Sequence, residues 1–193
     1  MLATPHPAPA SRAAKMLSRA GRYRWRQRRR TLIAAMVLGL GLIGGSAIIS
    51  PRPLLIYNAS ASAPLGFYAV LPEKIFRRGD LLLVKTPASV KYLAAERHYL
   101  PLNVDLVKRV AAMQGDLVCA IDGVVSIGGR DVARQLQADR MGRPLPRWIG
   151  CQVMGPSELF LLMQGVPDSF DSRYFGPVPT RAVIGRLVPI WLR

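Results

Sequence analysis

The chain has 193 residues, of which 50% are hydrophobic and 20% are charged. This composition provides enough apolar side chains for a core and excludes disordered, collagen-like and disulfide-dense proteins. The formal charge is +16, but nine of the 27 basic residues and none of the 11 acidic residues fall in the first thirty positions.

An uncharged apolar segment follows this basic tail. Residues 31–50 read TLIAAMVLGLGLIGGSAIIS, and about 20 apolar residues are what a helix needs to cross a bilayer. We therefore predict a transmembrane helix over residues 31–50, with the lipid bilayer as its partner. The basic tail, residues 1–30, should stay on the cytoplasmic side, so that residues 51–193 emerge on the other side as one domain.

The N-terminal region is also compatible with a cleaved signal peptide or a nucleic-acid-binding tail. Ala59-Ser60-Ala61 has the small-x-small pattern of a signal-peptide cleavage site, but the apolar segment is longer than the about 7 to 15 residues usual in such a signal. The basic tail has the charge of a nucleic-acid-binding segment. Because arginines beside a membrane segment set its orientation, we expect no nucleic-acid partner.

Residues 51–193 contain short apolar runs separated by Gly, Pro and Asp, which predicts a mainly β domain. The predicted strands are Gly66 to Leu71, Asp80 to Lys85, Val104 to Ala111, Asp116 to Ile121, Val124 to Ile127, Glu158 to Met163 and Ala182 to Ile190. Asp122-Gly123 predicts a two-residue hairpin turn. One helix is predicted over Ala88 to Tyr99. The stretch from Gly128 to Pro146 is predicted to be a surface excursion without regular structure.

Cysteine and histidine are scarce. Cys119 and Cys151 are the only cysteines, and in an exported domain they either form a disulfide or remain buried thiols. The only histidines are His6 and His98, so no Cys/His cluster predicts a metal site, and no organic cofactor is implied. A Ser-His-Asp triad would depend on His98 alone, so any nucleophilic catalysis needs a different base.

Three segments contain groups suited to catalysis. Residues 58–68 read NASASAPLGFY and place serine, proline and glycine shortly after the predicted membrane helix. Residues 107–116 read VKRVAAMQGD, in which a lysine interrupts an apolar run. Residues 164–177 read QGVPDSFDSRYFGP and combine polar groups with turn residues.

Together these motifs resemble the serine/lysine signal peptidase family and, within it, the TraF-type maturation peptidases of conjugative transfer systems. Family enzymes have Ser-Met-x-Pro at the nucleophile, Lys-Arg-x-x-Gly-x-Pro-Gly-Asp at the base and a late Ser-x-Asp-Ser-Arg-Tyr segment. Here Ala63 replaces the methionine, Pro64 comes two residues after Ser62, and Ala112 and Gln114 replace glycine and proline. The resemblance implies a mainly β, signal-peptidase-like sheet domain behind one transmembrane helix.

The chemistry of a serine/lysine pair also follows from the residues. A serine hydroxyl is a weak nucleophile until a base removes its proton. Lysine is a base only as the neutral amine, so its pKa of about 10.4 must fall, and burial among apolar side chains lowers it. Apolar residues at 107 and 110–112 surround Lys108. We therefore predict Ser62 as the nucleophile and Lys108 as the general base.

Four further roles are implied by the resemblance. The Ser60 hydroxyl and the Ser62 backbone N–H would bind the oxyanion of the tetrahedral intermediate, although Ser60 also fits an ordinary turn residue. Ser169 would orient the lysine. Asp171 and Arg173 would form a supporting ion pair.

The resemblance implies a single-pass serine endopeptidase of the bacterial inner membrane, with its N-terminus in the cytoplasm and its catalytic domain in the periplasm. The implied substrate is a translocated precursor, in particular a pilin precursor of a conjugative or type IV secretion system, whose product is in some relatives closed into a ring. Secretion-system components are expected partners. Two alternatives are open, namely a general type I signal peptidase with broad secretory substrates and a catalytically silent, membrane-anchored assembly subunit.

Overall fold

The computed structural model describes residues 25, 28–42, 53–60 and 62–193. The chain divides into two units, residues 1–51 and 52–193. In the first unit, residues 28–42 form helix α1. Among the described residues, none of the helices combines the length and the apolar character needed to span a membrane. Most of the basic tail and positions 43–50 of the predicted transmembrane helix lie outside the described residues.

The second unit is built mainly from β-strands. In chain order they are β1 (Leu55–Asn58), β2 (Gly66–Leu71), β3 (Leu81–Val84), β4 (Leu106–Ala112), β5 (Leu117–Ile121), β6 (Val124–Ile127), β7 (Arg130–Arg134), β8 (Gly150–Val153), β9 (Glu158–Leu162), β10 (Val178–Pro179) and β11 (Val183–Leu192). Helix α2 (Ala88–Glu96) follows β3, helix α3 (Ser172–Phe175) follows β9, and a 3-10 turn (Thr180–Ala182) precedes β11.

The strands form two antiparallel sheets. The larger sheet has the order β1-β2-β11-β3-β4-β9-β10, and the smaller has the order β7-β6-β5-β8. The central strand β3 is buried at every position. Because side chains alternate between the two faces of a strand, Leu81 and Leu83 pack in one apolar cluster and Leu82 and Val84 in another. The larger sheet is therefore covered on both faces.

A third apolar cluster joins the two sheets. It combines Ala112 of β4 and Phe160 of β9 with Val118 of β5 and Val125 of β6. Trp148, in the segment before β8, packs against the same cluster. The small sheet is thus anchored on the part of the large sheet formed by β4 and β9.

Most predicted elements are confirmed, with some differences at the edges. Asp122 and Gly123 have φ values of 49° and 76°, as the predicted two-residue turn requires. Helix α2 ends before the predicted Tyr99, because His98 has a φ of 58° and breaks the helical path. The prediction of an irregular stretch from Gly128 to Pro146 is wrong at its start, where β7 pairs with β6.

The cysteines form a disulfide between Cys119 and Cys151. These residues face each other on neighbouring strands, β5 and β8. The cross-link closes a loop with a sequence separation of 32 residues. In the unfolded state, the cross-link therefore restricts the segment between residues 119 and 151, which contains β6 and β7 of the smaller sheet.

We predict that replacing both cysteines, Cys119→Ser together with Cys151→Ser, lowers the free energy of unfolding by about 4 kcal/mol, the loop-closure entropy term expected for a loop of this length. Urea denaturation of the full chain measures the change. The wild-type protein treated with a reductant should lose the same amount, and an unchanged denaturation midpoint in both samples would contradict the prediction.

Candidate active site

Lys108 lies on the buried face of β4. The strand alternates strictly, and Leu106, Lys108, Val110 and Ala112 are its buried positions. On the neighbouring strand β3, the residue opposite Lys108 is the fully buried Leu82. Lys108 itself is only 3% exposed. The period of two along the strand therefore places an amine among apolar side chains.

The Lys108 Nζ atom has a hydroxyl as its hydrogen-bond partner. It donates to Ser169 Oγ at 2.8 Å, and Ser169 is 2% exposed. Burial lowers the pKa of Lys108 from 10.5 to about 8, with Asp171 and Asp168 acting against this change and Arg173 adding to it. The amine is therefore half neutral near pH 8, in the range where a general base is useful.

Ser62 lies in the turn between β1 and β2. The Asn58 side chain stabilises this turn through hydrogen bonds to its backbone. Asn58 ends β1 and is buried. Its Nδ2 atom lies within hydrogen-bond distance of three carbonyl oxygens, those of Ser60 (3.0 Å), Ala63 (3.0 Å) and Pro64 (3.1 Å). Sequence reasoning gave Asn58 no role. The available signal was an asparagine ahead of a serine- and proline-rich turn, a residue type that hydrogen-bonds nearby backbone groups.

The glycine of the first motif is required by a close approach of two strands. Gly66 begins β2 with a φ of 151°, and a Cβ atom there would lie 2.1 Å from the carbonyl oxygen of Trp191 in β11. A larger residue would push the two strands apart. Gly66 thus fixes the exit of the turn that contains Ser62.

Ser60 and Ser62 are hydrogen-bonded to each other. The Ser62 backbone N–H donates to Ser60 Oγ at 3.2 Å, and the Ser60 hydroxyl donates to Ser62 Oγ at 3.0 Å. The two donors expected to bind an oxyanion are therefore engaged within the turn. Rotation of the Ser60 side chain would free both of them. Ala61, between the two serines, lies outside the described residues.

Asp171 and Arg173 form a buried, bidentate ion pair. Arg173 Nε donates to Asp171 Oδ1 at 2.7 Å and Arg173 Nη2 to Asp171 Oδ2 at 3.0 Å. The side chains are 0% and 2% exposed. Further guanidinium hydrogen bonds reach the carbonyl oxygens of Arg134, Met163 and Pro167. The pair thus ties the segment that contains Ser169 to the end of β9.

The site opens into a groove of about 1230 Å³. Ser60, Ser62 and Lys108 all line it, together with Asn58. Ser169, Asp171 and Arg173 are buried, and Ser169 contacts Lys108 directly. Across the described residues, no hydrogen bond links Ser62 to Lys108. The groove nevertheless exposes a serine hydroxyl and a lysine of lowered pKa to the same space.

This chain is similar to known proteins over most of its length. A family model described as signal peptidase, peptidase S26, matches residues 27–192. The conjugal transfer protein TraF of Agrobacterium fabrum (strain C58 / ATCC 33970) is 33% identical over 174 residues, covering 82% of this chain and 92% of the relative. The plasmid transfer protein TraF of Escherichia coli is 29% identical over 155 residues, covering 76% and 83%.

A comparison of structures gives a further similarity. The crystal structure of a signal peptidase I from Enterococcus faecalis V583 aligns with 59% of this chain and 97% of its own, at a TM-score of 0.36 and 20% identity.

The buried ion pair yields a prediction about stability. Arg173→Lys should lower the free energy of unfolding by about 3 kcal/mol, because an ammonium cannot replace the forked contacts of a guanidinium to a buried carboxylate. The matched control is Arg186→Lys, which alters an equally forked but exposed pair with Glu73 and should cost less than about 1 kcal/mol. Urea denaturation of both variants measures the change in the free energy of unfolding. Equal decreases for the two variants would contradict the prediction.

Proposed function

Since the chain belongs to the signal peptidase family, peptidase S26, we propose that it is a serine endopeptidase in which Ser62 is the nucleophile and Lys108 the general base. One observation carries this proposal, namely a buried lysine of lowered pKa that lines the same groove as the serine. Burying an amine without a hydrogen-bonded carboxylate lowers the stability of the fold. A catalytic role for Lys108 gives a reason for keeping it there.

The proposed reaction begins when the Ser62 hydroxyl turns from Ser60 toward Lys108. Lys108 Nζ takes the hydroxyl proton as Ser62 Oγ attacks the carbonyl carbon of the scissile bond. The resulting ammonium then protonates the departing amine, which leaves an acyl-enzyme on Ser62. Lys108, neutral again, takes a proton from water as the water oxygen attacks the ester carbon. It then gives this proton to Ser62 Oγ as the acyl–oxygen bond breaks and the second product leaves.

The supporting residues fit this sequence of steps. Ser169 accepts a hydrogen bond from Lys108 and so fixes the direction of its amine. Once Ser60 rotates, its hydroxyl and the Ser62 backbone N–H are free to bind the oxyanion, and each such donor is worth about 100-fold or more in rate. Asp171 and Arg173 act through Ser169, because they hold the segment that presents it.

We also propose that the substrate is a translocated precursor protein, in particular a pilin precursor of a conjugative or type IV secretion system. The names of the relatives, conjugal transfer and plasmid transfer proteins, support this substrate. Acyl transfer from Ser62 to a peptide amine instead of water would close the product into a ring and needs no additional catalytic residue. Secretion-system components are the proposed partners.

The proposed location is the bacterial inner membrane, with the tail 1–30 in the cytoplasm, a membrane helix over residues 31–50 and the peptidase domain, residues 51–193, in the periplasm. The uncharged segment after an arginine-rich tail supports this orientation. The disulfide between Cys119 and Cys151 adds support, because disulfides persist in oxidising compartments such as the periplasm.

We predict that Ser62→Ala and Lys108→Ala each reduce cleavage of a co-expressed pilin precursor by at least about 1000-fold. Mass spectrometry of the precursor measures cleavage. Ser126→Ala in β6 and Lys85→Ala after β3 are the matched controls, because they change the same residue types outside the groove, and both should retain wild-type cleavage.

The remaining outcomes of this experiment each select a different function. A product lighter by one further water than the hydrolysed form identifies ring closure. Equal processing of ordinary secreted precursors identifies a general signal peptidase. Identical behaviour of the wild type and both site variants would refute the peptidase proposal in favour of an assembly subunit.

The pH dependence follows from the lowered pKa of Lys108. Catalysis needs the neutral amine, so kcat/KM should rise with pH, reach half its maximum near the pKa of about 8, and fall about tenfold for each pH unit well below that value. Peptide cleavage between pH 6 and pH 9.5 measures the profile, with far-ultraviolet circular dichroism to verify folding. A profile that is flat or falls over this range would contradict Lys108 as the base.

A further inference from the structure

The loop of residues 136–145, between β7 and β8, forms part of the groove although the proposed chemistry does not use it. We call it the 136–145 loop. Its groove-lining residues are Leu136, Asp139, Arg140, Met141, Arg143 and Leu145. The sequence predicts this stretch only as a surface excursion. In the structure it borders the same space as Ser62 and Lys108.

Asp139 holds this loop in one conformation. Its carboxylate accepts hydrogen bonds from the Tyr99 hydroxyl (2.5 Å), Arg143 Nε (2.7 Å), the Arg143 backbone N–H (2.9 Å) and the Met141 backbone N–H (2.9 Å). The side chain is 8% exposed. Although burial raises the pKa of Asp139, hydrogen bonds from Tyr99 and Arg143 hold it well below its usual range. The carboxylate therefore stays charged and bound at all physiological pH values.

The loop is also fastened to the end of helix α2. Arg97 Nη1 donates to the carbonyl oxygen of Pro144 at 2.7 Å, and Arg143 Nη2 donates to the carbonyl oxygen of Arg97 at 3.2 Å. The Arg143 guanidinium lies 5.7 Å from the centre of the Tyr99 ring. Two segments that are far apart in the sequence thus form one continuous wall.

On its other side the loop is joined to the segment that contains Ser169. Arg140 forms an ion pair with Asp168, the residue immediately before Ser169. The Leu136 backbone N–H donates to the Tyr174 hydroxyl at 3.1 Å. Phe170, directly after Ser169, packs on Tyr99 with ring centres 5.3 Å apart. The wall therefore has a fixed position relative to Ser169, the hydrogen-bond partner of Lys108.

The groove volume indicates what such a wall contacts. Small-molecule sites commonly enclose about 300 to 1000 Å³, and this groove of about 1230 Å³ exceeds that range. A groove of this volume has room for an extended polypeptide segment. Apolar side chains of the loop, such as Leu136, Met141 and Leu145, line the groove and offer that segment apolar contacts.

We propose that Asp139 is a positioning residue for extended precursors, because it clamps the 136–145 loop to Tyr99 so that the loop binds the precursor at a distance from the cleaved bond. The inference deepens the proposed function and rests on it. Asp139 contributes to binding of the polypeptide, whereas Ser62 and Lys108 contribute to bond cleavage. The clamp should therefore affect KM for long substrates more than kcat.

The test compares two peptides from the junction of the pilin precursor, one of 16 residues and one of six, with the full-length enzyme. Asp139→Asn should lower the ratio of kcat/KM for the long and short peptides about tenfold, through KM. Tyr99→Phe, which removes one of the four hydrogen bonds, should lower the same ratio by a smaller factor. Glu73→Gln, which breaks an exposed ion pair outside the groove, is the control and should leave the ratio unchanged.

A second measurement separates this inference from the proposed function. Binding of the fluorescein-labelled 16-residue peptide is measured in the Ser62→Ala background, where no turnover is expected, with and without Asp139→Asn. Weaker binding with Asp139→Asn supports the clamp even if the wild-type protein cleaves nothing, which would refute only the peptidase proposal. An unchanged ratio, an equal loss for both peptides, or no binding of the long peptide would overturn the inference.

Discussion

The arrangement of the site depends on burying one amine without giving it a carboxylate as a hydrogen-bond partner. The apolar face of β4 favours the neutral form of Lys108, and the hydroxyl of Ser169 accepts its hydrogen bond without adding charge. Asp171 is close enough to favour the ammonium, but both of its carboxylate oxygens are bound by Arg173. The guanidinium therefore offsets the carboxylate, and the amine remains a usable base.

Sequence reasoning predicted the central strands well because their side chains alternate or are wholly apolar. The bounds of β2 and β6 and the turn at Asp122-Gly123 agree with the structure. The strands that it missed, β1, β7, β8 and β10, lie at the edges of the two sheets. They are too short, polar or exposed to show a clear period. A lysine inside an apolar run was visible in the sequence. The contacts of Asn58 and the link between Tyr99 and Asp139 were not, because each depends on the path of the folded backbone.

The two sheets have different tasks in this fold. The larger sheet positions Ser62, at the turn between β1 and β2, and Lys108, in the middle of β4. The smaller sheet, cross-linked by its disulfide and packed on β4 and β9, supplies the strands from which the 136–145 loop extends. The groove wall thus combines a loop that extends from the smaller sheet with Arg97 and Tyr99, which follow helix α2.

The order of the larger sheet also has a consequence for synthesis. Strand β11 comes after the other strands in the chain, yet it lies between β2 and β3 and pairs with both. A nascent chain that ends before residue 183 therefore lacks the strand that joins the Ser62 side of the sheet to the Lys108 side. The ribosome must finish this strand before the two halves can meet. Until translation has passed this strand, Ser62 and Lys108 lack the shared groove on which the proposed activity depends.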